Sequence, residues 1–167
     1  MDDDTVPYTD AQHQQLADWQ SSPEFGDWLA DEPAELARLV AQTPGLADLE
    51  DPWSAEGLSF IEAAALVAFP DITGSASAEQ RALLDRMSRG IGHVFLEAFG
   101  EGKWVWVQTL FENPPGPALE IPHQPAWIEP ETLLLLALSQ RDGTTLARCL
   151  DQTLADHRHS GQGFDHT

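Results

Sequence analysis

The hydrophobic period of this chain changes once, at Gly100-Glu101-Gly102, and that change constrains the fold more than any other feature. Upstream, Leu83, Leu84, Met87, Ile91, Val94, Phe95, Ala98 and Phe99 recur at helical spacing, a stripe of about five turns. Ser77-Ala78-Glu79-Gln80 supplies a capping box at its start, and Gly100 stands where a C′ glycine belongs. Downstream, Lys103 to Phe111 is rich in aromatic and β-branched residues and alternates with period two, which predicts a strand. Asn113-Pro114-Pro115-Gly116-Pro117 reads as a rigid loop, Ala118 to Ile121 as a return strand, and Ala126-Trp127-Ile128 as a brief third pairing. An isolated hairpin is marginal in water, so it must lie on a helix, and the Leu83–Phe99 helix is the candidate. The fold class is therefore α+β: predominantly helical, with one small antiparallel sheet of two to three strands packed on a long helix. Gly90 and Gly92 interrupt that helix at about 1 kcal/mol each against Ala. A cost of that size predicts close approach of a neighbouring element.

Punctuation residues divide the rest. Thr9 with Gln12 forms a capping box for a helix over Asp10–Gln20. Ser22-Pro23 opens a second helix, facing inward through Phe25, Trp28 and Leu29, and Glu32-Pro33 opens a third through Leu36, Leu39 and Val40. Thr43-Pro44-Gly45 ends it, and Asp51-Pro52-Trp53-Ser54 is a turn and cap. Ser59 with Glu62 reads as a capping box before Ala63–Phe69, a stretch apolar on every side that belongs inside a core. Pro130 starts a helix through Leu133–Leu138, Asp142-Gly143 turns, and Thr144 or Thr145 caps a last helix to about Asp156. The expected organisation is a disordered acidic tail over 1–8, a single α+β domain over 9–157 and a flexible tail over 158–167. Within the domain, 9–50 forms an acidic helical arm and 51–157 the core.

The charge is lopsided: 28 Asp and Glu against 8 Lys and Arg in 167 residues, a formal net of −20. A phosphate backbone or anionic lipid needs a basic surface, so nucleic acid and membrane are excluded as main partners. Residues 1–56 hold 14 acids and a single base, Arg38, whereas 57–167 hold 14 acids and seven bases. An acidic arm of this kind steers a basic protein toward it, and the competing reading is a solvated surface that serves solubility. On the first reading the partner-binding residues are Asp18, Trp19, Asp27, Trp28, Asp31, Glu32, Glu35, Trp104 and Trp106. Trp104 and Trp106 face opposite to Val105 and Val107 along a strand. They form either an exposed anchor or a covered core pair, and cover is favoured because a bare tryptophan pair exposes a large apolar patch. Arg81, Arg86 and Arg89 are expected to pair with nearby acids, Arg81 with Asp85 at i, i+4.

No fingerprint of catalysis stands out. Gly90-Ile91-Gly92 lacks a preceding strand and a third glycine, so it is not a dinucleotide loop. The only cysteine, Cys149, excludes an intramolecular disulfide and reads as a small apolar residue on a helix. His157-Arg158-His159 offers a His-x-His without a third ligand, so neither a metal site nor a cofactor is expected. His93, Glu97 and His123 are the polar groups of an alternative reading, a small-molecule-binding or hydrolytic site between the Gly90–Gly92 turn and the hairpin. A second alternative is a structural homodimer joined by exposed aromatics. The apolar runs Ala63–Phe69 and Leu133–Leu138 are too short to span a bilayer, and the N-terminus has no apolar targeting core. A cytoplasmic location is the expectation.

The segment from Arg89 to Gly100, followed by Trp104-Val105-Trp106-Val107, resembles a module of uncharacterised small acidic bacterial proteins. Trp53-Ser54-Ala55-Glu56-Gly57-Leu58 and Phe69-Pro70-Asp71 extend the resemblance over residues 53–150. It implies the same layout of glycine-interrupted helix, Trp-bearing strand and leucine-rich helix, and it implies no catalytic residues. Some proteins of this kind neutralise toxins. By that analogy the chain is expected to be a non-catalytic, immunity-type inhibitor of a basic toxin or enzyme.

Overall fold

A computed structural model describes residues 8–71, 74–108 and 114–162. The expectations for residues 1–7, for the strand beyond Gln108 and for residues 163–167 lie outside the described residues. The elements are α1 (Asp10–Gln20), α2 (Pro23–Gln42), a 3-10 turn at Leu46–Asp48, α3 (Ala55–Ala68), α4 (Ala78–Phe99), β1 (Lys103–Val107), β2 (Gly116–Glu120), α5 (Pro130–Gln140) and α6 (Thr145–Gln162). The chain is mostly helical with one two-stranded antiparallel sheet, an α+β fold.

Local chemistry sets most boundaries. Thr9 Oγ1 accepts from the Gln12 amide at 3.2 Å while the Gln12 side chain accepts from the Thr9 amide at 2.7 Å. Ser77 and Gln80 repeat the arrangement at the start of α4. Gly100 ends α4 in the left-handed region, φ 70°, which glycine enters without a Cβ penalty.

Three expectations are corrected. α2 is one helix that passes through Pro33, not two. Proline removes the bond to the Leu29 carbonyl, but Leu29 and Pro33 are exposed, so water can serve that carbonyl. The inward stripe Phe25, Trp28, Glu32, Glu35 and Leu39 keeps its period across it. α3 begins at Ala55, capped by Ser54, so Ser59 lies inside the helix and caps nothing. α6 continues to Gln162, past the expected end near Asp156.

α3 and α4 form the centre. Leu58, Ile61 and Ala65 of α3 meet Ile91 and Phe95 of α4, Leu134 and Leu138 of α5 and Leu146 of α6, all buried in one cluster. Leu39 and Leu46 join it from the acidic arm. Burying one such side chain fully contributes about 1.5–3 kcal/mol, so the arm is bound by packing. The two mid-helix glycines have the expected cause. A Cβ on Gly90 would strike Leu39, and a Cβ on Gly92 would strike the Trp104 ring.

The hairpin pairs Trp104 with Leu119, Val105 with Ala118 and Trp106 with Pro117. Leu119 also exchanges two backbone bonds with Ile128, the brief third pairing read from the sequence. Val105, Val107 and Ala118 form a second small cluster, against which Leu16 of α1 and Trp127 pack. On the other side of β1, Trp106 stacks on Phe25 at 5.4 Å and Trp104 meets Trp28 edge-on at 4.8 Å. The Gln20 side chain accepts from the Trp106 amide at 2.9 Å and donates to the Trp106 carbonyl at 2.7 Å.

Candidate functional site

α2 carries two stripes of different chemistry. Phe25, Trp28, Glu32, Glu35 and Leu39 turn toward α4 and the hairpin, whereas Glu24, Asp27 and Asp31 are exposed. The inward stripe meets the arginines of α4. Arg89, 3% exposed, lies 3.8 Å over the Trp28 ring. It donates to the Trp28 carbonyl at 2.7 Å and to Asp85 at 2.8 Å. Arg86 donates to Glu35 at 2.7 Å and to Gln42 at 2.8 Å, and Glu35 also takes Arg38 at 2.7 Å. Burial alone would raise the Glu35 carboxyl, but the hydrogen bond and charge of Arg86, with Arg38 and Arg89 behind it, hold it below the usual range. These pairs are the structural use of Arg86 and Arg89 that the sequence favoured. Asp85 serves Arg89 and the Trp28 indole nitrogen rather than Arg81.

Glu32 sits deeper. Its Oε1 is buried without a hydrogen-bond partner among the described residues. Burial pushes the carboxyl up, opposed in part by His93, Arg89 and the Trp104 side chain. His93 meets the Trp53 ring edge-on at 5.0 Å and reaches Glu97 at 3.5 Å. The structure therefore brings Trp28, Glu32, Glu35, Trp104 and Trp106 together as an internal interface among α2, α4 and β1. Trp28 is buried and both strand tryptophans are half-buried. Asp18, Asp27 and Asp31 remain exposed, and Trp19 is half-buried beside Tyr8 and Trp127.

The residues of the alternative site divide. Among the described residues no hydrogen bond, ion pair or ring contact joins His123 to His93 or Glu97. His123 lies beside His157, ring centroids 6.5 Å apart, and His157 is held by Gln124 at 3.1 Å and Glu101 at 3.4 Å. Among the described residues no three His, Cys, Asp or Glu converge as a metal site, and no helix is long and apolar enough to cross a membrane. Burial pushes the half-buried Cys149 thiol up, with Arg148 opposing, so a thiolate is disfavoured there.

Two features escaped sequence reasoning. Glu62, read as part of a local cap, is buried at the far side of α3. It accepts from the Thr145 amide at 3.2 Å and the Leu146 amide at 2.7 Å, a carboxylate at the positive end of α6. The second is a groove of about 510 Å³ among α2, α3 and α4. Leu39 of α2, Phe60, Ala63 and Val67 of α3, and Leu83 and Met87 of α4 line it. α3 was expected to be enclosed all round, yet Val67 is 82% exposed. An all-apolar helix predicts cover, but a sequence cannot show which side goes without it.

No family model, no curated protein and no solved structure matches this chain.

Proposed function

We propose that this chain is a non-catalytic binding protein that captures a basic protein, in the manner of an immunity-type inhibitor of a basic toxin or enzyme. The observation that carries the reading is the sorting of carboxylates on the acidic arm. Glu35 faces inward and is matched by Arg86 and Arg38, and Glu32 lies beside His93 and Arg89. Asp18, Asp27 and Asp31 face solvent, on a chain of net charge −20. Outward carboxylates repel one another and raise the encounter rate with a cationic surface. Arg86 and Arg89 of α4, which could have neutralised such a face, are engaged inside the interface.

The test is capture with the tagged full chain from its native cell extract, at about 0.05 and about 0.3 M salt, spanning a large change in Debye length. The expected result is a basic partner whose association falls steeply at the higher salt and in the triple variant Asp18→Lys, Asp27→Lys, Asp31→Lys. A neutral or acidic partner indifferent to both changes overturns the reading.

A further inference from the structure

The uncovered side of α3 points to a docking surface. Its stripe Phe60, Ala63 and Val67 opens onto the groove, opposite Leu83 and Met87 of α4. The Phe60 ring rests against Gly45, where an added Cβ would strike it. An acid stands one turn beyond the lining on each of the two helices. Glu56 lies one turn before Phe60 on α3, and Glu79 lies one turn before Leu83 on α4; both are exposed. Of the bases near the groove, Arg86 is engaged by Glu35 and Gln42, Arg38 by Glu35, and Arg141 by the carbonyls of Leu66 and Phe69, while Arg81, between Glu79 and Leu83, is exposed.

An apolar trough on an acidic chain, with Glu56 and Glu79 one turn beyond its lining, selects its occupant by chemistry. A second copy of this chain would bring −20 against −20, which opposes self-association. A segment that presents an apolar stripe flanked by cations satisfies both parts of the surface, and the helix-in-groove mode does this with anchors at i, i+3/i+4 and i+7. We propose that a basic amphipathic helix of a protein partner docks in this groove, its apolar stripe on Phe60, Val67 and Leu83 and its Lys or Arg side chains toward Glu56 and Glu79. The proposal rests on the reading of a basic partner and adds the surface and the shape of what it receives.

The probe is a fluorophore-labelled Leu/Lys peptide of about five helical turns, with leucines at helical spacing, titrated against the full chain by fluorescence anisotropy. Comparators are a peptide of the same composition with scrambled leucines and a Leu/Glu peptide of the same pattern. The patterned basic peptide is expected to bind about tenfold or more tighter than either. Val67→Asp, at an exposed position, is expected to weaken it about tenfold with an unchanged far-ultraviolet dichroism spectrum and unfolding midpoint. Glu56→Lys with Glu79→Lys is expected to weaken it and flatten its salt dependence.

Equal binding of the scrambled peptide, or binding insensitive to Val67→Asp, overturns the groove. Equal binding of the Leu/Glu peptide overturns the charge argument, and a wild-type dimer dissolved by Val67→Asp assigns the groove to a second copy and overturns the proposal. Failure of the groove is separable from failure of the broader reading. If Asp27→Lys with Asp31→Lys weakens binding and Val67→Asp does not, only the groove falls. If neither does, both fall.

Discussion

The Arg89 guanidinium lies 3.8 Å above the Trp28 ring and donates to the carbonyl oxygen of the same residue at 2.7 Å. Asp85 closes the unit, taking Arg89 Nε with one oxygen and the Trp28 indole N–H with the other, each at 2.8 Å. One cation thus fixes both the ring and the backbone of the helix it holds. Arg89→Met removes the side-chain bond to the Trp28 carbonyl, which keeps only its helical partner, and leaves Asp85 without its cation. The Asp85 side chain is 38% exposed, which limits the penalty for its lost partner, so the expected destabilisation is about 2–3 kcal/mol. Arg89→Lys keeps the charge but loses the flat fork and is expected to cost about 1–2 kcal/mol. Urea unfolding followed by near-ultraviolet dichroism of the tryptophans measures both.

Glycine substitutions are expected to separate by what the new methyl meets. At Gly57 it would strike the Pro52 carbonyl oxygen, which is backbone and cannot swing aside, and Gly57→Ala is expected to cost about 2–3 kcal/mol or more. At Gly92 it would strike the Trp104 ring, held in turn by Trp28. There the helix-propensity gain of about 1 kcal/mol is outweighed and the net is destabilising. At Gly26 nothing lies within 4 Å, and Gly26→Ala is expected to stabilise by about 0.5–1 kcal/mol. Thermal unfolding of the three variants ranks them directly.

Glu62 holds the start of α6 from a different helix. Glu62→Ala strips two buried amides of their acceptor, and the expected loss is about 2–4 kcal/mol. Glu62→Gln keeps one acceptor oxygen but no charge, for a loss of about 1–2 kcal/mol. Hydrogen exchange should quicken first at Thr145 and Leu146, before the rest of α6. Uniform quickening across the helix would show that the contact is not a cap.

The pH dependence has opposite signs at two neighbours on α2. The folded-state pKa of Glu32 is raised, first by burial, so its folded form binds a proton more tightly than the unfolded chain. Its favourable contribution is full below the ordinary value of 4.5 and is lost as pH rises through the raised value. Glu35 is lowered despite its burial, because Arg86 outweighs it; its contribution is full above 4.5 and is lost as pH falls. Glu32→Gln is therefore expected to stabilise the fold at neutral pH, with the gain shrinking toward pH 4.5. Glu35→Gln is expected to destabilise at neutral pH, with the loss shrinking in acid. Urea midpoints across that range check both signs.

How much of this was legible depends on whether the signal was local. Thr9 with Gln12 and Ser77 with Gln80 act within four residues, and their helices start where those residues place them. Gly90 and Gly92 announced close neighbours, and Leu39 and Trp104 are those neighbours. Pro33 misled because a proline's cost depends on whether the orphaned carbonyl can reach water, which is decided by exposure. Ser59 and Glu62 matched a local cap, but a carboxylate can serve amide groups anywhere in space, and Glu62 serves those of α6. The acidic arm was readable as charge. That Glu32 and Glu35 turn inward while Asp27 and Asp31 do not follows from where Arg86 and Arg89 lie on another helix.

The amide of Gln20, bonded to both polar groups of the Trp106 backbone, has a protective consequence. A ribbon of two strands has two open borders, each able to template a strand from a neighbouring molecule. Here Ile128 occupies one border at Leu119, and a glutamine on α1 occupies the other at Trp106. If α1 lifts away, the outward amide and carbonyl of Trp106 lose that partner, and β1 becomes the border at which a strand of another molecule could add.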